Sequence, residues 1–271
     1  MGSSHHSDSE DEVGGGLFED PADFYPPSPP PTTENYTMKT GENITLHLVG
    51  HSPLEAHHLW NGSRVVSDWF ETHPEEVKGR TVLEIGAGAG LPSIVAAVLG
   101  AKKAVVTDFP DPELIVTMWK NIRGCPMLAV DNEEDLNIVA DGYVWGADVK
   151  PLLAHLSPED AEKGFDVLVL ADLLFRHSEH GKLVDTIEKS LKRAPESKAF
   201  VVFTSYRPWL KHKDLVFFDL ARERGFIVDK ILELKTERPL FENDPGDEEV
   251  RKTVTGFVVR WPEEAFEKPS A

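Results

Sequence analysis

The sequence predicts an α/β fold: a mostly parallel sheet with helices on both faces and one antiparallel strand. Three observations lead there. Short apolar runs alternate with amphipathic stretches along most of the chain, the pattern of strands joined by crossover helices. The runs are continuously apolar, as strands covered on both faces are. The last two runs have no full helix between them, which marks a hairpin that brings in the antiparallel strand.

Residues 1–35 carry Gly14 to Gly16, a Ser/Asp/Glu-rich start and a proline cluster from Pro26 to Pro31, and they read as a tail that is disordered or extended. Leu17, Phe18 and Phe24 are its candidates for docking. Ile44, Leu46 and Leu48 alternate with polar neighbours, the period of a half-buried strand, and Gly41-Glu42 suggests a hairpin before it. Val65, Val66, Trp69 and Phe70 have helical spacing over 61–72, closed by Pro74. Strands then follow at 81–85, 104–107, 165–170 and 199–203, with helices at 91–99, 114–122, 181–191 and 215–224. The closing pair is 226–234 and 254–259, and the acidic stretch 242–249 is its exposed loop.

A chain of 271 residues with 40% apolar content can bury one sizeable core, so one folded domain is expected over 36–262, with a short C-terminal tail at 263–271. Cys125 is the one cysteine. That excludes an intrachain disulfide and fits a reducing cytoplasm. No run of about 18 apolar residues marks a membrane span. The net charge of -19 disfavours nucleic acid as a direct partner and favours a basic one. Glu55, His57 and His58 have no matching ligands at helical or finger spacing, so no metal site is expected.

The chemistry centres on Val82-Leu83-Glu84-Ile85-Gly86-Ala87-Gly88-Ala89-Gly90, between the first buried strand and its helix. Glycines let the backbone turn sharply and approach a ligand, and the following helix offers unpaired N–H groups. A dinucleotide fingerprint needs a third glycine three residues after the second, where this chain has Leu91. Glu84, two positions before Gly86, and the Gly-x-Gly-x-Gly spacing instead match the methyl-donor loop of methyltransferases. Asp108 ends the second apolar strand, where a carboxylate can accept both ribose hydroxyls; a helix-capping role, for which Asp111 competes, is the alternative. Trp145 offers a ring for an adenine face or for the core. Ala171 and Asp172 close the next strand and face the cleft, with helix capping again the alternative for Asp172.

Trp60, Glu84 to Gly90, Asp108, Trp145-Gly146 and Ala171-Asp172 together resemble methyltransferase family 16, over residues 36–262. Within it the likeness is to fungal enzymes that methylate a protein N-terminus and a lysine. The resemblance implies a Rossmann-like seven-stranded methyltransferase sheet, S-adenosyl-L-methionine as donor and S-adenosyl-L-homocysteine as product. It also implies donor contacts from Trp60, Gly86, Ala87, Gly88, Asp108, Trp145 and Ala171, with Glu84 in the same motif. The implied substrate is translation elongation factor 1-alpha, at its N-terminal glycine amine and adjacent lysine. Asp172 is the candidate for orienting that amine, between walls of Trp60 and Phe175. Many relatives have tyrosine where this chain has Phe175, which removes a hydroxyl from that point. A small-molecule, nicotinamide-like N-methyltransferase would share every donor-binding residue, and a non-catalytic scaffold is the other alternative. The acids of 242–249 are candidates for steering a cationic terminus into the cleft.

Overall fold

The chain alternates strand and helix around a seven-stranded sheet, described over residues 29–266 of a computed structural model. The expectations for 1–28, including docking by Leu17, Phe18 or Phe24, and for 267–271 lie outside the described residues. A first hairpin, β1 (Thr32–Thr37) and β2 (Asn43–Leu48), stands apart from the main sheet. It begins within the segment read as tail. Its turn closes by Met38 N–H donating to the Glu42 carbonyl (2.8 Å), with Gly41 at φ 97°.

The main sheet comprises β3 (Thr81–Ile85), β4 (Lys103–Asp108), β5 (Ile138–Gly142), β6 (Val167–Ala171), β7 (Lys198–Thr204), β8 (Ile227–Lys235) and β9 (Thr253–Arg260). Their spatial order is β5-β4-β3-β6-β7-β9-β8, and β9 alone runs against its neighbours. β3 pairs with β4 on one side and β6 on the other, so the order of strands reverses there and opens a crevice beyond their carboxyl ends.

Alternation on the central strands divides the core in two. Val82, Val167 and Val169 face α1 (Asn61–Thr72), α2 (Leu91–Val98) and α3 (Pro112–Gly124), packing with Phe70, Ile94 and Met118. Leu83, Leu168 and Leu170 face α4 (Lys150–Leu153), α5 (Pro158–Lys163), α6 (His180–Ser190) and α7 (Lys211–Glu223), packing with Leu152, Leu183 and Phe217. Truncating one of these fully buried leucines to alanine removes ~2–5 kcal/mol through lost transfer energy and the cavity left behind.

The hairpin is fastened to this frame by polar contacts. Tyr36 Oη donates to Asp68 Oδ1 (2.7 Å) and Glu71 Oε1 (2.6 Å) on α1. Buried Asn121 on α3 accepts from His47 N–H (2.7 Å) and donates to the carbonyls of His47 and Ala89 (3.0 Å each), tying hairpin, helix and glycine loop at one residue.

Two stretches depart from the expected elements. β5 is absent from the strands expected from the sequence; it is a five-residue edge strand with only three apolar residues before Asp141-Gly142. The acidic loop closes with a short helix, α8 (Glu248–Arg251), capped by the Asp247 carboxylate. Among the described residues no helix is long and apolar enough to cross a membrane.

Candidate functional site

The crevice holds a cavity of about 1040 Å³, open mouth included, lined by residues from the ends of β3, β4, β5 and β6 and from the segment before α1. Gly86, Gly88 and Gly90 take φ of 63°, 56° and 79°, a left-handed region that L side chains rarely adopt. Gly86 is further required by space: a Cβ there would stand 2.6 Å from Leu173 and 2.9 Å from Trp145. The loop thus presents bare backbone to the cavity, with Ala87 pinned through its N–H to the Thr107 carbonyl (3.0 Å).

Asp108 stands beside that loop. Its Oδ2 accepts from Gly88 N–H (2.7 Å) and its Oδ1 from Phe109 N–H (2.6 Å), so each oxygen keeps a lone pair for the cavity it lines. Burial pushes its pKa up, opposed by those two N–H groups. The capping alternative falls to Asp111, whose carboxylate accepts from Glu113 N–H at the start of α3. Trp145 is half-buried: it lines the cavity, its ring edge against Gly86, and it packs on the core that faces α4, α6 and α7. Ala171 lines the cavity from the end of β6.

Glu84 requires a correction. It does not line the cavity but lies beneath its floor, fully buried. Its Oε2 accepts from the N–H (2.9 Å) and hydroxyl (2.5 Å) of Ser93 in the first turn of α2, a tie between β3 and the helix that follows the glycine loop. Oε1 has no protein partner, and burial raises the group's pKa to about 8.

Asp172 lines the cavity, yet both of its oxygens are engaged by backbone. Oδ2 accepts from Gly62 N–H (2.5 Å) and Oδ1 from Thr204 N–H (2.8 Å), and the residue itself sits at φ 54°. Burial raises its pKa to about 7 against the pull of those N–H groups. The carboxylate therefore joins β6, β7 and the first turn of α1, and so fixes Trp60, the residue preceding that helix. Gly62 was not singled out from the sequence; a Cβ there would come within 2.5 Å of Asp172 Oδ2 and 2.7 Å of the Val202 carbonyl.

Trp60 forms the centre of an aromatic wall. Its Nε1 donates to the Glu55 carbonyl (2.9 Å), its ring stacks on Phe175 (5.7 Å, 16°), and Tyr206 and Phe241 meet it edge-on at 5.0 and 5.6 Å. Phe241 comes from the β8–β9 loop and carried no signal in the sequence. Its carbonyl accepts from the buried Arg251 guanidinium at 2.6 Å. The loop thus borders the site as expected, but four of its five acids are spent locally. Glu242 pairs with Arg238 (3.1 Å), Glu249 with Lys235 (2.8 Å) and Lys252 (2.5 Å), Glu248 with Lys252 (3.6 Å), and Asp247 caps α8. That leaves little free charge there for steering.

A family model described as lysine methyltransferase matches residues 44–224. The chain belongs to this family. It is 78% identical to a Neurospora crassa protein named protein N-terminal and lysine N-methyltransferase, over 94% of this chain and 91% of that one. Proteins of the same name from Gibberella zeae and Schizosaccharomyces pombe are 58% and 42% identical over 93% of this chain and 96% and 97% of theirs. In fold, the lysine methyltransferase chain is like a putative SAM-dependent methyltransferase from Streptococcus mutans. That match has a TM-score of 0.53 and 12% identity, over 87% of this chain and 56% of that one.

The cavity's donor and acceptor set fits S-adenosyl-L-methionine. Two free lone pairs on Asp108 suit a ribose diol, the bare Gly86 to Gly88 backbone allows close approach, and Trp145 offers an aromatic edge.

Proposed function

We propose that this protein is an S-adenosyl-L-methionine-dependent N-methyltransferase of a protein N-terminus and adjacent lysine. Its substrate in this reading is translation elongation factor 1-alpha in the cytoplasm. The observation that carries the donor is Asp108, buried beside the glycine loop with one lone pair per oxygen turned to the cavity. The names of relatives that match nearly the whole chain support the protein substrate. The elongation factor rests on the likeness to the fungal enzymes.

The bound donor supplies an activated methyl group on a sulfonium. The chain's own residues then have three tasks. Gly86, Ala87, Gly88 and Asp108 hold the donor; Trp60 and Phe175 wall the acceptor side and exclude water; and Asp172, through Gly62, keeps that wall in register with the floor. The acceptor must arrive as a neutral amine. An N-terminal amine, with a pKa of about 8, loses its proton more readily than a lysine at about 10.4.

Mass spectrometry of proteins from cells with and without this chain tests the proposal. The expected result is loss of methyl groups from the N-terminal peptide of the elongation factor. Unchanged methylation of that peptide would refute the assignment.

A further inference from the structure

The geometry points to His58 as the catalytic base that takes the proton from the incoming ammonium, with Glu55 beside it holding the cation before that transfer. The inference rests on the methyltransferase reading above and concerns the acceptor half of the same cavity.

Most acceptors lining the cavity are already committed. In the reading above the two remaining lone pairs of Asp108 go to the donor's ribose, and Asp172, 3 % exposed, already accepts a backbone N–H on each oxygen. Glu179 is paired with Lys182 at 2.8 Å. Tyr143 Oη is turned to the Ala147 carbonyl and Thr186. Phe175 has no hydroxyl. Among the described residues, the cavity-lining side chains of Glu55 and His58 make no hydrogen bond or ion pair, and their polar atoms lie within 4.8 Å of each other.

His58 also stands where the two halves of the site meet. It lines the cavity, and its ring abuts Trp60 edge-on (5.8 Å) and Phe241 edge-on (5.0 Å), the residue that the β8–β9 loop brings to the aromatic wall. The charged and titratable groups around His58 are Glu55 and His57 on its own segment, Arg176, Glu179 and Lys182 across the cavity, and Asp108 and Asp172 at its floor. Burial and the neighbouring His57 hold the His58 pKa below the usual imidazole range, opposed by Glu55, which favours the neutral, proton-accepting form of the ring.

The step balances without a further reagent. An N–H bond of the ammonium breaks as an imidazole nitrogen takes the proton. The lone pair left on the amine forms the N–C bond while the C–S bond of the sulfonium breaks and sulfur keeps that pair. The positive charge leaves on the methylated amine, and His58 returns its proton to water.

The test is single-turnover methylation of a synthetic peptide with a free N-terminal Gly-Lys, from pH 6 to 9, by the full chain and by His58→Gln and Glu55→Gln. Calorimetry with S-adenosyl-L-homocysteine runs beside it. His58→Gln is expected to lower the rate at pH 7 by ~10²-fold, the low end for a positioned base. The gap should narrow toward pH 9, where an ammonium of pKa ~8 has lost its proton unaided. Glu55→Gln is expected to raise the peptide KM with kcat kept, and both variants should bind the homocysteine product as the parent does. A His58→Gln loss that is the same at every pH would make the ring a wall and overturn the proposal, as would no loss at all. Loss of parent activity on chelation, restored by zinc, would also overturn it. A parent chain that binds the product and never methylates the peptide would instead sink the functional reading.

Discussion

The two walls of the cavity are built by different means. The wall proposed for the donor comes from residues at strand ends, Gly86 to Gly88, Asp108 and Ala171, each held by ladder or loop hydrogen bonds at neighbouring registers of one sheet. The wall proposed for the acceptor is lined by Glu55, His58, Trp60 and Phe175 and backed by Tyr206 and Phe241, which come from segments far apart in the chain, and ring contacts hold most of it. Backbone hydrogen bonds at a sheet edge fix position whatever the side chains are, whereas ring packing depends on every partner. In the proposed reading a cofactor common to many enzymes is served by the first kind of wall, and a particular acceptor by the second. Asp172 and Gly62 join the two.

The largest effect should come from breaking that joint. Gly62→Ala forces a Cβ against Asp172 and the Val202 carbonyl. Overpacking of this kind costs ~1–3 kcal/mol, a fall of several degrees in Tm by scanning calorimetry, with methylation lost as Trp60 shifts. Asp108→Ala tests the donor wall alone. It should weaken S-adenosyl-L-homocysteine binding by ~1–3 kcal/mol in titration calorimetry, because partner hydroxyls lose a charged acceptor. Unchanged affinity would remove Asp108 from the donor site.

A pH series sharpens the role of the buried carboxyls. Glu84 at about 8 and Asp172 at about 7 lie above their unfolded values of about 4. The folded state therefore keeps protons that the unfolded chain gives up. Their contribution is whole below about pH 4 and is lost as pH rises through about 7 to 8. Urea midpoints at pH 5.5 and 8.5 should show a fall that Glu84→Gln reduces; an equal fall in both proteins would mean that Glu84 ionises as an exposed acid does. The smallest effect is expected from changing Glu242, Asp244, Asp247, Glu248 and Glu249 to their amides. Since four of the five are spent locally, the salt dependence of the peptide KM should barely move. Its disappearance would restore the steering role.

Legibility in the sequence followed the same division. The buried strands announce themselves as apolar runs, and the glycine loop with Asp108 is local and rigid, so both could be read directly. β5 could not, because an edge strand of three apolar residues before Asp141-Gly142 has the composition of a turn. Asp172 was placed at the cleft correctly, but its partners, Gly62 and Thr204, lie 110 and 32 residues away, and no spacing rule connects them. Glu84 belongs to a motif whose glycines line the cavity, yet its own carboxylate turns inward to Ser93. Phe241 is a single aromatic residue in an acidic loop, and no periodicity or spacing ties it to Trp60.

Phe241→Ala separates the two walls most directly. Phe241 touches Trp60, Tyr206 and His58 but is not part of the donor wall. Titration with S-adenosyl-L-homocysteine and steady-state methylation of the N-terminal peptide should be measured on the same preparation. The expected result is unchanged product affinity with kcat/KM for the peptide lowered by roughly tenfold or more, as loss of ~1.4 kcal/mol or more of acceptor contact requires. Equal losses in both, or loss of product affinity alone, would contradict the division of the cavity into a donor wall and an acceptor wall.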